Sequence, residues 1–450
     1  MENKITQILR QSYYAYCLSH HIPLHVQRVI NQLLKCRTSN MGGHAHVCPN
    51  CQHTDVWYNS CKHRFCPQCS NIKNEQWLQI QHKKFLKMDH FHIIFTIPEE
   101  LNQAFLYNKE IFTNFLFKAS NNSLETFLQD IKWLGATTGK IITLQTWASN
   151  LTLHPHLHCL VSAGGLKNNK LIIHKRQYLA PAKAMSKVFR GKLLDFIKTA
   201  VRADKINFGP DMDKTEFTRI LNNLYYMKWN VSIMPKYTYT KGVLKYIANY
   251  IKGGPIKQSR IVYFDNSIVK FKYRSAARDN KKSMQKDRIM TLKIPDFIKR
   301  FLLHIPYPGQ HTTRYYGLYS ANNVNNLNIA RTALYQEPLE KGSTLQTTDA
   351  EINQTNEKKV ICPICKCVKI SYMNLKPIQL KKYIRMVGEN KLPISASCCQ
   401  NSIEYTKILK YGVHGATFNK ELMLRPSGLA FGTRLLVRFP QSRGLFATDK

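Results

Sequence analysis

Three histidines at alternate positions, His154, His156 and His158, lie in the stretch LTLHPHLHCLVSAGG that runs from Leu151 to Gly165. Neutral imidazole is the commonest protein ligand for a metal ion, and alternate side chains of an extended chain share a face. The same period of two puts Leu151, Leu153, Leu157, Cys159 and Val161 on the opposite face. The pattern predicts a strand seated on a core with its imidazoles toward a cleft, ended by Gly164-Gly165. It also describes a half-buried strand with surface histidines, and the chain has 17 histidines to distribute.

Cysteine makes the second pattern. Cys48 and Cys51 form one CxxC pair, Cys66 and Cys69 a second, and a proline (Pro49, Pro67) follows the first cysteine of each. Two such knuckles are the arrangement of a tetrahedral four-thiolate zinc site, so these four are expected to hold one Zn²⁺. Cys61, His46 and His63 are spare donors nearby. Farther on, Cys362, Cys365, Cys367, Cys398 and Cys399 form a candidate second metal site with irregular spacing. Tyrosine makes the third pattern. In YTKGVLKYIANYIKGGPI, Thr240 is an N-cap and Gly253-Gly254-Pro255 a helix stop, and Tyr246 and Tyr250 border the stripe Val243, Leu244, Ile247, Ala248, Ile251. A pair at that spacing also arises by chance, and Tyr315 and Tyr319 make another.

The chain must position these groups within 450 residues, enough for one large core or two to three smaller ones. Its 66 basic and 27 acidic residues give a net charge of +39, a field that attracts polyanions. No apolar run is long enough to span a membrane, and the N-terminus lacks an apolar signal core. These features favour nucleic acid over lipid as the partner, a cytoplasmic location, and metal binding over disulfides.

In chain order, residues 1 to about 35 read as helical. DHFHIIFTIP reads as a strand with His90, His92, Ile94 and Thr96 on one side and Phe91, Ile93, Phe95 and Ile97 on the other. A helical stretch runs from about Leu101 to Leu134, IITLQTW is a strand, and 182–204 and 212–227 are amphipathic helices. IVYF and VKFKY make a hairpin around Asp265-Asn266, followed by a helix around PDFIKRFLLHI. The expected class is α+β, with a central antiparallel sheet flanked by helices and a small zinc-binding module. The expected divisions are 1–88 (N-terminal helix and zinc-binding domain), 89–320 (catalytic domain), 321–360 (polar linker) and 361–450 (C-terminal region).

The order of these parts resembles a known family. CPNC…CKHRFCPQC, HFHIIFTIPEEL, TWASNLTLHPHLHCLVSAGG, VLKYIANYIKGGPIKQSRI and FIKRFLLHI…RYYGLYS, over residues 40 to about 320, resemble the rolling-circle transposases of insertion sequences. These are two-tyrosine members of the HUH nucleases and include the group typified by insertion sequence 91. The resemblance implies an HUH endonuclease core. It implies an enzyme that nicks single-stranded DNA at the ends of a mobile element and joins it to target DNA. The implied roles fall on His156 and His158 as ligands of a catalytic divalent ion and on Tyr246 and Tyr250 as nucleophiles. Asn249 and Gly253 stand where the family commonly has arginine, so two expected phosphate contacts are missing.

That chemistry also makes sense residue by residue. A phenolate attacking a backbone phosphate conserves bond energy in a 5′-phosphotyrosine and frees a 3′-hydroxyl. A divalent ion polarises the phosphate oxygens. With two imidazole ligands Mn²⁺ suits the site at least as well as Mg²⁺. A third ligand is expected, with His92, His154, a carboxylate or an amide as candidates. The alternatives to a transposase are a plasmid or phage replication initiator and a zinc-dependent DNA-binding protein that has lost catalysis.

Overall fold

A computed structural model describes residues 3–237, 254–274, 287–340, 362–367 and 371–387. The N-terminal helical stretch divides into α1 (Lys4–Ser19) and α2 (Leu24–Lys35). Asn3 starts α1, its side chain accepting from the Ile5 amide. Pro23, with a fixed φ and no amide hydrogen, stands at the N-cap of α2 and accounts for the break. Ile5, Ile8, Leu9, Val26, Ile30 and Leu33 bury one face of this pair. A hairpin of β1 (Gly43–Val47) and β2 (Thr54–Tyr58) follows, and then α3 (Ser70–Lys84).

The central sheet contains β3 (His90–Thr96), β4 (Thr137–Trp147), β5 (Leu153–Lys167), β6 (Lys170–Ile173), β7 (Val231–Ile233) and β11 (Thr313–Gly317). Its order is β11-β4-β5-β3-β7, with β6 paired to β5, and every pairing is antiparallel. Helices α4 (Asn102–Tyr107), α5 (Lys109–Leu128), α6 (Ala182–Arg202) and α7 (Lys214–Tyr226) supply the rest of the main core. That core joins Phe91, Ile93 and Phe95 of β3 and Leu157, Cys159 and Val161 of β5 to Phe112, Leu116, Phe189, Leu193 and Phe217. At about 1.5–3 kcal/mol for each large apolar side chain taken from water, this layer needs no metal to hold it. The α+β class and the antiparallel sheet flanked by helices are as the sequence patterns indicate.

A second core lies beside it. Strands β8 (Ile261–Phe264), β9 (Ile268–Arg274) and β10 (Asp287–Lys293) form a three-stranded sheet capped by α8 (Ile294–Leu303). Phe271, Phe297, Ile298 and Phe301 pack there with Ile5, Ile8, Ile30 and Leu33 of the N-terminal helices.

Two expectations change. Gly164 and Gly165 do not end β5, which continues to Lys167 and pairs with β6. They are glycines because of crowding: a Cβ at Gly164 would lie 2.4 Å from Met88 Cε, and one at Gly165 2.5 Å from the Thr137 carbonyl oxygen. The stretch from 321, expected as a linker, begins with the folded segment 321–339. Helix α9 (Val324–Thr332) buries Leu327 and Ala330 against Leu86, Met88 and Leu318, and Arg331 donates to the Lys83 carbonyl. Its apolar residues are few but on one side, a signal that the Asn-rich composition obscured. The last described segment holds β12 (Ser371–Leu375) and α10 (Pro377–Val387). β12 pairs with the free edge of β1, giving the three-stranded order β12-β1-β2.

Candidate active site and cysteine centres

Antiparallel register carries the histidine pattern across neighbouring strands. His158 lies between Thr143 of β4 and Ile94 of β3, and His156 between Gln145 and Thr96. Directly paired residues share a face, so His92, His154, His156, His158, Thr143 and Gln145 all lie opposite the main core. The imidazoles run in sequence: ring centroids are 5.2 Å apart for His154–His156 and 4.9 Å for His156–His158. His92 stacks on His158 at 5.2 Å. Its Nε2 lies 2.9 Å from His158 Nδ1.

Burial keeps these rings neutral. His92 and His156 are each lowered to about 4 by burial, and His158 is driven well below the ordinary value by burial, with its two histidine neighbours adding to the effect. His154 is lowered by burial too, against the opposing charge of Glu99. His156 Nδ1 sits 2.7 Å from the His154 carbonyl oxygen. A carbonyl only accepts, so Nδ1 carries the proton and Nε2 the lone pair, the form a metal ligand needs. With His158 Nδ1 engaged by His92, Nε2 is the nitrogen through which His158 would ligate. Neutral imidazoles, with the His156 tautomer fixed by the His154 carbonyl, fit a divalent ion. Among the described residues, however, no third His, Cys or carboxylate donor converges with them as closely as in the two cysteine groups below.

The turn leading into this strand is held from the second core. Leu151 is fully buried with φ of +66°, a conformation that costs a bulky residue about 1–3 kcal/mol. Arg300 donates to the Asn150 carbonyl at 2.9 Å, Arg260 donates to the Ser149 carbonyl, and His304 Nε2 lies 3.1 Å from the Leu151 carbonyl oxygen. These contacts fix the approach to His154.

The cysteines correct the sequence-based grouping. Cys48, Cys51, Cys66 and Cys69 do not converge on one point; the two CxxC pairs belong to two different groups. Cys66 and Cys69 join Cys36 and Cys61, while Cys48 and Cys51 join Cys362 and Cys365, and in each group the sulfurs all lie within 4.8 Å of one another. The reason is topological: Cys48 and Cys51 sit in the loop joining β1 to β2, at the far end of the hairpin from Cys36 and Cys61, which flank its two open ends, and β12 brings the C-terminal cysteines to that loop. In the first group Cys36–Cys69 is 3.4 Å, Cys36–Cys66 3.6 Å and Cys61–Cys69 3.8 Å. A tetrahedron with metal–sulfur bonds of about 2.3 Å has edges of about 3.8 Å, so the group fits zinc. Hydrogen bonding among the sulfurs, from Cys36 foremost, pulls the Cys69 thiol well below its ordinary range. Cys36 carried no sequence signal, since it stands alone at the end of α2. Cys362 and Cys365 did: CPIC repeats the Cys-Pro-x-Cys form of CPNC and CPQC. Cys367 lies outside the four, and Cys398 and Cys399 fall outside the described residues.

Tyr246 and Tyr250 also fall outside the described residues, but the chain on either side of them does not. Tyr237 is bonded both ways to His90, two residues from His92 on β3, at 2.9 and 3.1 Å. After the segment, Ile256 lies in the same buried cluster as Phe65, Cys66 and Cys69. Phe65 in turn meets Trp147, at the end of β4, with ring centroids 6.2 Å apart. Tyr315 and Tyr319 pack in a small cluster with Trp77 and Phe85: Tyr315 accepts from Trp77 Nε1 at 2.9 Å, and the Tyr319 hydroxyl is 2.6 Å from His90 Nε2. No helix among the described residues is long and apolar enough to cross a membrane.

Comparison with known proteins agrees with these parts. Residues 139–326 match the family described as "Putative transposase", and residues 8–97 match the transposase zinc-binding domain of the insertion sequence 91 type. "Putative transposase y4qJ" of Sinorhizobium fredii is 32% identical over 321 residues, 70% of this chain and 79% of that protein. "Transposase for insertion sequence element IS801" of Pseudomonas savastanoi pv. phaseolicola is 25% identical over 306 residues, 66% of this chain and 70% of that protein. No solved structure matches.

Proposed function

The chain belongs to the insertion-sequence-91 family of transposases, and on that premise we propose that it nicks and rejoins single-stranded DNA through the phenols of Tyr246 and Tyr250. The observation that carries this reading is the row of neutral imidazoles on one sheet face, with the His156 tautomer fixed by the His154 carbonyl. The chain flanking the tyrosines supports it, tied to β3 on one side and to the cysteine-bearing core on the other. In the proposed step the phenolic oxygen bonds to phosphorus as the P–O3′ bond breaks. The 5′-phosphate stays on the tyrosine, and the phenolic proton balances the released 3′-hydroxyl. Joining is the reverse, with an incoming 3′-hydroxyl and tyrosine as leaving group. Two tyrosines allow a second cleavage while the first end is still held, as strand transfer at an element's ends and a target requires.

A divalent ion, Mg²⁺ or Mn²⁺, held through Nε2 of His156 and His158 would polarise the non-bridging phosphate oxygens. His92, with Nε2 given to His158, orients that ring, and His154 lends its carbonyl to His156. Gln145, beside His156 in the register, is the amide nearest in sequence position on the neighbouring strand. The group Cys36, Cys61, Cys66 and Cys69 holds a structural Zn²⁺ of the N-terminal domain. The +39 charge serves the DNA backbone.

The test uses the full chain, labelled single-stranded DNA carrying an element end, and Mn²⁺ or Mg²⁺. A covalent protein–DNA adduct should survive denaturing electrophoresis, and Tyr246→Phe/Tyr250→Phe should form none. His156→Ala should slow adduct formation by about a hundredfold or more. An undiminished adduct in the double tyrosine variant would falsify the assignment of nucleophiles.

A further inference from the structure

We propose that a second zinc ion is shared by Cys48 and Cys51 of the N-terminal hairpin and Cys362 and Cys365 of the C-terminal segment, completing one zinc ribbon from the two ends of the described chain. The matched zinc-binding domain ends at residue 97, so half of this ligand set lies far outside it. Cys48 and Cys365 sulfurs are 3.5 Å apart and Cys51 and Cys362 sulfurs 3.6 Å, and all four fall within 4.8 Å. These separations are near the edge of about 3.8 Å for a zinc–thiolate tetrahedron and far beyond a disulfide bond of about 2.05 Å.

A second observation is independent of the sulfurs. The two knuckles have the same backbone turn. The Cys48 amide donates to the His53 carbonyl at 2.8 Å and Gln52 N–H to the Cys48 carbonyl at 2.9 Å. At the other end, the Cys362 amide donates to the Cys367 carbonyl at 2.9 Å and Lys366 N–H to the Cys362 carbonyl at 3.0 Å. The residue four beyond the first cysteine is left-handed in both, Gln52 at φ +57° and Lys366 at +60°. Two copies of one strained turn, face to face, are what a four-thiolate site built from two CxxC knuckles requires.

The surroundings give the ion work to do. Among the described residues, the sheet β12-β1-β2 and α10 bury a small cluster, Ala45, Val56, Leu375 and Leu380, with Tyr58, Tyr383 and Ile384 partly buried against it. So little apolar surface cannot order a three-stranded sheet and a helix by itself. The ion therefore clasps the C-terminal CxxC knuckle, and with it β12 and α10, to the hairpin, and the N-terminal module is complete only when these C-terminal elements have arrived. This inference does not depend on the tyrosine chemistry, because its readout is metal content.

Zinc is counted by native mass spectrometry on the purified full chain, with Co²⁺ substitution reporting the ligand type. Two ions per wild-type chain are expected. One should remain in Cys48→Ser/Cys51→Ser, one in Cys362→Ser/Cys365→Ser, and still one in the quadruple variant, because both pairs serve the same ion. Adding Cys66→Ser/Cys69→Ser to any of these should remove the last. Cys365→His, which keeps a donor, should retain two ions with weaker thiolate-to-cobalt absorption. Two ions in Cys362→Ser/Cys365→Ser, or a single ion in the wild type, would overturn the proposal.

Discussion

The two cysteine groups have the same ligands and very different settings. Cys36, Cys66 and Cys69 are buried among Phe65, Ile256 and the aromatic core around Phe271 and Phe297. Cys48, Cys51, Cys362 and Cys365 stand beside a cluster of four small and medium apolar residues. In the first setting a metal fastens a seam between elements that already share a core. In the second it substitutes for a core. Similar chemistry thus serves positioning in one place and folding in the other.

Metal removal should separate the two most sharply. Structural zinc contributes about 10–16 kcal/mol of apparent binding free energy. Hydrogen exchange after chelation should therefore accelerate by about a thousandfold or more in β1, β2, β12 and α10. Amides of α1 and α2, held by the second core, should change by less than about tenfold. Equal acceleration in both regions would remove the contrast.

Packing should show the converse at a somewhat smaller scale. Phe297 is fully buried, and Phe297→Ala should cost about 3–5 kcal/mol in urea unfolding. Its zinc content should stay at the wild-type level, since no cysteine moves with the side chain. A loss of metal in this variant would mean that the first group depends on the core more than the core on it.

Acid should act on both regions, for different reasons and with the smallest effect per group. Protons compete with zinc for thiolates. Away from the cysteines, burial lowers His90 and His304 to about 4 from an ordinary 6.5. The unfolded chain binds more protons between those values, so stability rises with pH there. The contribution is complete above about 6.5 and is lost as pH falls toward about 4, roughly 3 kcal/mol for each fully buried ring. Urea midpoints of metal-free protein from pH 4 to 7 should show this slope, to which His92, His156 and His158 add in the same sense, and His304→Gln should reduce it by one ring's share. A flat profile in the unmodified chain would mean these rings titrate normally.

Much of the histidine-bearing layer was legible because period two is a local property. Alternation in LHPHLHCLV and HFHIIF states which side chains share a face whatever lies next to the strand, and His156, His158, Phe91 and Ile93 lie where it puts them. Helices 182–202 and 214–226 were visible for the same reason. Less local features were read less well. Gly164-Gly165 looked like a strand end, but the glycines accommodate Met88 and the Thr137 carbonyl, neither of which is a sequence neighbour.

The residue types and intervals alone determined the candidate chemistry: CxxC pairs that suit thiolate metal sites, alternate histidines that could serve as imidazole ligands, a strongly basic chain that suits a polyanion. Only the tertiary structure decided which donors meet. Cys48 looks in sequence like the partner of Cys66, eighteen residues away, yet it meets Cys365 across 317 positions. It does so because β12 completes an open strand edge that the hairpin could not satisfy alone. His92 reaches His158 across 66 positions by the register of two strands. A ligand set is a set of distances, and distances between remote residues are set by backbone pairing and core packing, which no local spacing encodes.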